Sequence, residues 1–363
     1  MEKRVKFLVF LLTYDCNLRC SYCYEPKNKH RSMTIDSAKA IVKKGIDSVE
    51  DCYDSIEIQF MGGEPLVQFP IIRDVCEWLW RTEHKIPITR LSAPTNGTLL
   101  NDEMKKWLVK NNKRFELLLS FDGTRLMQNI NRSDSAANID LDFFISTYPQ
   151  SEVKMTLSPE TIGYLFEGIQ YLYSKGFKFV EASLALGANI GWEKKHLKIL
   201  DRELNKLIDF YCTHTDARPL NMLSTPVWNI IIEDYKPLVC YCGQRTLCYD
   251  WNGKVYPCHL FAPITISPIL AKKAQKMDFD EIRKTKNPTC AKCVLTKVCS
   301  VCYGMNFKDY GDCTHQSPFY CAQFKLFFYA SCILQKRLAQ INHESQKEEL
   351  INETIKYLIN TRK

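Results

Sequence analysis

The chain has 363 residues, of which 45% are hydrophobic and 25% charged, enough to bury a full core and long enough for two or three domains. Its formal charge of +8 is modest for that length and comes with no RNA- or DNA-module pattern, so nucleic acid is not an expected partner; a solvated surface or attraction to an acidic peptide accounts for the charge. No cleavage pattern follows Met1-Glu2-Lys3-Arg4 and no apolar run is long enough to span a bilayer. A cytoplasmic protein with no membrane partner is expected, and its 17 cysteines point to bound metal rather than disulfides.

From residue 1 to about 212, short apolar runs alternate with helical stretches, the pattern of parallel β/α units. Candidate strands are Lys6–Leu12, Ser55–Phe60, Thr89–Ala93, Phe115–Ser120, Glu152–Leu157 and Lys178–Leu184. Between the first two, Thr34 reads as the cap of a helix reaching Val49, with Asp36 in its first turn. Periodicity does not distinguish a partial barrel from a doubly wound sheet.

The first run leads into Tyr14-Asp15-Cys16-Asn17-Leu18-Arg19-Cys20-Ser21-Tyr22-Cys23, three cysteines with three and then two residues between them. At the C-terminal end of a buried strand, such a loop can aim three thiolates at one iron–sulfur cluster and leave the fourth iron open to a substrate. Three close cysteines can also be core thiols or part of a zinc site, which needs a fourth ligand in short reach; the next histidine is His30. The second run ends in Met61-Gly62-Gly63-Glu64-Pro65, whose glycines let the backbone pass close to a ligand or simply turn. Pro94-Thr95-Asn96-Gly97 and Ser120-Phe121-Asp122-Gly123 put small polar residues at the same rim, where capped turns would look alike. Cys52 and Cys76 fall in helical patterns and read as core thiols.

Beyond residue 214 the alternation stops and cysteines crowd together. Cys242 is followed after ten residues by Gly253 and after four more by Cys258, across a hairpin signal with Asn252-Gly253 at its turn. Cys290, Cys293, Cys299 and Cys302 come next, with two, five and two residues between them, then Cys313 and Cys321; two such sets are a zinc or iron–sulfur signal. A helix from Pro318 to Arg337 presents Phe319, Phe324, Phe327, Phe328, Ile333 and Leu334 as a packing face, and Ser345 to Lys363 reads as an amphipathic helix.

The cysteine loop with Tyr22 before its third cysteine, the Gly-Gly-Glu-Pro segment and the C-terminal cysteine pattern together resemble the radical S-adenosylmethionine (SAM) enzymes that carry a SPASM domain, many of them peptide maturases. The resemblance implies an α/β fold: a partial (β/α)6 radical SAM barrel over residues 1–213, a SPASM domain with two auxiliary clusters over 214–330, and a C-terminal helical tail over 331–363. The implied cofactors are three [4Fe-4S] clusters and SAM. Cys16, Cys20 and Cys23 would hold the cluster that binds SAM. Cys242, Cys258 and Cys302 would hold the first auxiliary cluster, with Cys248, Cys240 or an open position as its fourth site, and Cys290, Cys293, Cys299 and Cys321 the second; Cys313 has no assigned role. Where this chain has two residues before Cys302, the family more often has three. Tyr22, Met61, Gly62, Gly63, Glu64, Asn96 and Ser120 are implied SAM contacts, Arg132 a carboxylate contact, and Asp122 a catalytic candidate near the ribose and the open end of the barrel.

Sulfatase-maturing members carry an Asp base after the hairpin cysteine; this chain has His259 there, which can also act as a base. The resemblance therefore implies oxidative modification of a peptide or protein by a 5′-deoxyadenosyl radical. A thioether or carbon–carbon crosslink in a ribosomally made peptide is the expected product, with sulfatase-type (formylglycine-generating) oxidation of Cys or Ser as the alternative. An electron donor such as flavodoxin or ferredoxin is the expected partner. A multi-cluster electron carrier would not need the SAM loop, and a zinc-ribbon nucleic-acid binder would leave the first 212 residues unexplained.

Overall fold

The computed structural model describes residues 3–25, 30–235, 240–285 and 287–361. Its strands are β1 (Val5–Thr13), β2 (Ser55–Gly62), β3 (Ile88–Thr95), β4 (Glu116–Leu119), β5 (Glu152–Leu157), β6 (Phe179–Leu184), β7 (Thr246–Tyr249) and β8 (Val255–Tyr256). The first four lie parallel in the order β4-β3-β2-β1, β5 and β6 form a parallel pair, and a bridge between Ser120 and Lys154 carries the arc from β4 to β5. The connections are helical: α1 (Ile35–Asp47), α2 (Phe69–Leu79), α3 (Asp102–Lys110), α4 (Arg125–Asn131), α5 (Leu141–Thr147) and α6 (Leu165–Lys175), with α7 (Lys194–Thr213) after β6. The result is an open arc of six parallel strands. Thr34 caps α1 reciprocally with Ser37, each side chain accepting the other's backbone N–H.

Strand β1 is apolar without alternation because both of its faces are covered. Leu8, Phe10 and Leu12 pack with Ala38, Ile41 and Val42 of α1, while Val9 and Leu11 pack with Cys242, Cys248, Tyr256 and Phe261 from the C-terminal half. That half joins the same sheet: β7 lies parallel to β1, in register from Phe7 opposite Thr246 to Phe10 opposite Tyr249, and β8 turns back antiparallel at the predicted hairpin. Tyr249 stacks on Phe10 at 5.0 Å, and the buried Tyr14 hydroxyl donates to Asp250 at 2.6 Å. Gly45 makes room for that stack, since a Cβ there would lie 2.9 Å from the Phe10 ring.

The remaining helices are α8 (Asn221–Ser224), α9 (Pro268–Ala274), α10 (Phe279–Lys284), α11 (Pro288–Ala291), α12 (Tyr303–Tyr310), α13 (Pro318–Ile341) and α14 (Ser345–Asn360). Helix α13 buries Phe327, Phe328 and Leu334, the expected packing face, and stacks Phe319 on Trp192 at 5.2 Å. It runs unbroken through 330/331, so the boundary expected there falls inside one helix; its burial against α7 and α8 extends past that point. Cys76 is a core thiol, but Cys52 is not: it sits exposed in the turn after α1, near Glu50. Among the described residues no helix is long and apolar enough to cross a membrane.

Candidate active site

The cysteine loop leaves β1 at its C-terminal end and is fixed from both sides. Tyr14 N–H donates to Arg31 and Met33 N–H to Leu12, closing the base of the loop, while Ser21 N–H donates to the Asn131 carbonyl and Arg19 N–H to Ser133 Oγ at the far end of α4. Cys16, Cys20 and Cys23 are half-buried and outside any disulfide. Burial pushes the Cys20 thiol up to about 11 against the opposing pull of Arg132, and the charges of Cys23 and Cys16 are felt there as well. Three reduced thiols in one loop at a strand end are the donor set an iron–sulfur cluster requires, and they fit it.

The neighbouring strand ends serve this loop. Gly63 N–H donates to Thr13 and Glu64 N–H to Asp15, and a Cβ on Gly62 or Gly63 would fall 2.3 or 2.5 Å from the carbonyls of Thr13 or Asp15. The glycines are therefore explained first by close approach to the cysteine loop itself, not by a ligand. Glu64 is buried, and its carboxylate accepts from Leu66 N–H, Thr95 Oγ1 and Asn96 N–H, so the side chain organises the β2 and β3 ends. Burial raises its carboxyl and these hydrogen bonds pull it back. Asn96 reaches Asn17 of the cysteine loop at 3.0 Å. Ser120, half-buried, receives the bridge to β5 and donates its N–H to Thr95, and Met61 packs partly buried beneath the rim.

Asp122 departs from expectation. It is fully buried rather than turned to the open end of the barrel: Tyr22 hydroxyl at 2.6 Å, Asn131 Nδ2 at 3.1 Å and Thr156 N–H at 2.9 Å donate to it, and the Arg132 guanidinium forms an ion pair with it at 3.0 Å. Arg132 also lies over the Tyr22 ring, and the Asp122 charge holds it protonated despite burial. The carboxylate is thus a hub that fixes Tyr22, and through it the cysteine loop; Arg132 is committed to the same hub.

In the C-terminal half, Cys258 and Cys302 precede helical turns whose N–H groups point at their thiols, Leu260 and Phe261 in one case and Met305 and Gly304 in the other. Cys240 and Cys242 are hydrogen-bonded thiol to thiol, and Arg283 donates to both of their carbonyls. Cys313, buried, lies near this group. Cys248 is fully buried in β7, close to Cys258. Cys290, Cys293, Cys299 and Cys321 gather separately, each of the first three within electrostatic reach of Cys321 or its companions. Among the described residues no three Cys, His, Asp or Glu side chains meet closely enough to hold a single metal ion.

A cavity of about 800 Å³ connects these parts. Its wall includes Tyr22 and Tyr24 of the cysteine loop, Thr156 of β5, Glu181 and Ser183 of β6, and Cys240, His259 and Cys302 from the C-terminal half. Burial pushes His259 down to about 4, leaving a neutral imidazole with its ring 6.0 Å from Tyr24. Tyr24, Glu181 and Asp309 were not singled out by sequence. The only signal for Glu181 was its alternate position on β6, where Val180, Ala182 and Leu184 are buried on the other face.

Residues 10–139 match the family described as the radical SAM superfamily. Over 95% of its length the chain is 23% identical to the radical SAM cyclopropyl synthase TigE of Paramaledivibacter caminithermalis, covering 78% of that protein. Over 90% of its length it is 22% identical to the cysteine-type anaerobic sulfatase-maturating enzyme of Clostridium novyi, covering 95% of it. Among solved structures, native anSMEcpe with bound AdoMet superposes with a TM-score of 0.70 at 19% identity, covering 96% of this chain and 99% of that one. Streptococcus suis SuiB bound to its precursor peptide SuiA gives 0.60 at 17% identity, covering 86% and 75%. These two likenesses show the fold.

Proposed function

We propose, from the premise that this chain is a radical SAM enzyme related to SAM-dependent maturases, that it oxidatively modifies a peptide, most plainly by a thioether or carbon–carbon crosslink. The observation that carries this reading is the single cavity walled jointly by the cysteine loop, the barrel strands and the cysteine-rich half: a substrate seated there faces both ends at once. SuiB, one of the structural neighbours, is described as bound to a precursor peptide, which supports a peptide occupant.

A [4Fe-4S] cluster on Cys16, Cys20 and Cys23 with SAM would supply the 5′-deoxyadenosyl radical that removes a substrate hydrogen. The chain's own part is positional. Asp122 and Arg132 lock Tyr22 behind the loop, and Glu64 and Asn96 hold the β2 and β3 ends against it. His259 lines the cavity, and the burial that keeps its imidazole neutral also makes it a weak proton acceptor. Cys242, Cys258 and Cys302 would hold a first auxiliary cluster and Cys290, Cys293, Cys299 and Cys321 a second, with electrons entering from a flavodoxin- or ferredoxin-like donor.

The test uses anaerobically reconstituted protein and 5′-deoxyadenosine release under reduction. Wild type should cleave SAM, and the variant Cys16→Ala/Cys20→Ala/Cys23→Ala should not; persistent cleavage by that variant would sink the assignment. With the precursor peptide, the product should be two hydrogens lighter. The likeness to a sulfatase-maturating enzyme over nearly the whole chain favours a second reading, oxidation of a Cys or Ser side chain. His259→Ala separates the two: a large rate loss with a sulfatase-type peptide supports the second, little change with a crosslinked product the first.

A further inference from the structure

The wall of the central cavity has a charge opposite to that of the molecule. In a chain of net charge +8, the charged side chains among its described lining residues are the carboxylates Glu181 and Asp309, with no lysine or arginine beside them. Each is anchored through one oxygen by a backbone amide, Glu181 by Asn221 N–H at 2.9 Å and Asp309 by Ala188 N–H at 2.7 Å, and among the described residues neither forms an ion pair within 4.0 Å. Two cations lie near Glu181 without forming an ion pair with it among the described residues: Arg218, which contacts Asn221 and the Phe179 ring, and Lys154, its cross-strand neighbour on β5. Burial and the neighbouring Glu152 push the Glu181 carboxyl up to about 7, and the pull of Lys154 and Arg218 offsets them only in part. The same wall carries the aromatic side chains Tyr310, Tyr320, Phe324 and Phe327. A wall that combines carboxylates with aromatic rings is complementary to a long side chain with an apolar stem and a cationic head.

We propose that this cavity selects a substrate segment carrying a lysine or arginine side chain, with Glu181 and Asp309 as the specificity-determining residues. The inference rests on the peptide-modifying reading above and deepens it. A desolvated cation facing two fixed carboxylates would gain affinity over an uncharged side chain of the same shape, and the same residues would reject an acidic one.

The test measures binding to the anaerobically reconstituted protein by calorimetry. The probes are the capped pentapeptide acetyl-Gly-Phe-Lys-Phe-Gly-amide, the same peptide with norleucine or glutamate for lysine, and hexylguanidinium, a cation without peptide bonds. The lysine peptide should bind about tenfold more tightly than the norleucine peptide. The variant Glu181→Gln/Asp309→Asn should bring the two within about twofold. Ser183→Lys leaves both carboxylates in place but sets a cation among them, and should shift preference toward the glutamate peptide even if the double variant does not fold. Equal binding of lysine and norleucine peptides by wild type would overturn the inference and leave the peptide reading standing. Hexylguanidinium binding that depends on both carboxylates, with no peptide bound, would uphold the cation site and overturn the peptide reading. No binding of any probe at millimolar concentration would overturn the cation site.

Discussion

Asp122 offers the sharpest test of how the cysteine loop is held. Its carboxylate is fully buried and takes Tyr22, Asn131, Thr156 N–H and the Arg132 guanidinium, itself almost wholly buried. Asp122→Ala leaves that guanidinium as an unpaired buried charge and strips the Tyr22 hydroxyl of its acceptor. Breaking a buried pair by removing one partner costs about 3–5 kcal/mol. For a chain of 363 residues, with an unfolding entropy of about 2.1 cal/mol/K per residue, that corresponds to a fall in Tm of roughly 4–7 °C. Arg132→Met/Asp122→Leu, which removes both charges, should recover much of the loss, because it is the orphaned charge and not the missing pair that costs most. Thermal unfolding followed by far-UV circular dichroism on apo and reconstituted protein measures this. Tyr22→Phe in an Asp122→Asn background supplies the coupling between carboxylate and loop. Were Asp122 instead a direct SAM ligand, Asp122→Asn would weaken SAM binding while leaving Tm within about one degree of wild type, and the hub assignment would be wrong.

Three further outcomes follow from the same geometry. Gly63→Ala places a Cβ 2.5 Å from the Asp15 carbonyl, so the cysteine loop must shift; we expect loss of the iron bound by Cys16, Cys20 and Cys23 and a stability cost of about 1–3 kcal/mol, read by iron analysis and thermal melts, and unchanged iron would refute it. Glu181 has a folded-state pKa raised from 4.5 to about 7 by burial, so its contribution favours the folded state fully below 4.5 and is lost as the pH rises through about 7. Glu181→Gln should therefore match wild type near pH 5 and exceed it near pH 8 by about 1–3 kcal/mol, discounted for partial exposure; parallel stability curves would contradict this. Reconstituted wild type should bind about twelve irons per chain and Cys258→Ala/Cys302→Ala about eight, counting four per cubane, whereas wild-type saturation near four would eliminate the auxiliary clusters.

What the sequence by itself determined was local. The six parallel strands, the Thr34 cap, the hairpin at Asn252-Gly253 and the α13 packing face each follow from periodicity or turn chemistry within a few residues; the strands and the cap lie within two residues of their expected places, and α13 runs four residues past its expected end. The cysteine loop was legible because three cysteines within eight residues need no tertiary contact to come together. Only the tertiary structure decided the rest, because it depends on which distant segments share a neighbour. The local pattern left Gly62 and Gly63 as a turn or a close approach to a ligand, and the family resemblance implied SAM; packing against Thr13 and Asp15 accounts for both glycines by tertiary contact. An Asp at a strand end looked open to the barrel, but residues 22, 131, 132 and 156 fold over it. That β7 would join β1 and that Glu181 and Asp309 would line one cavity are consequences of chain closure across more than a hundred residues, and no local pattern records them.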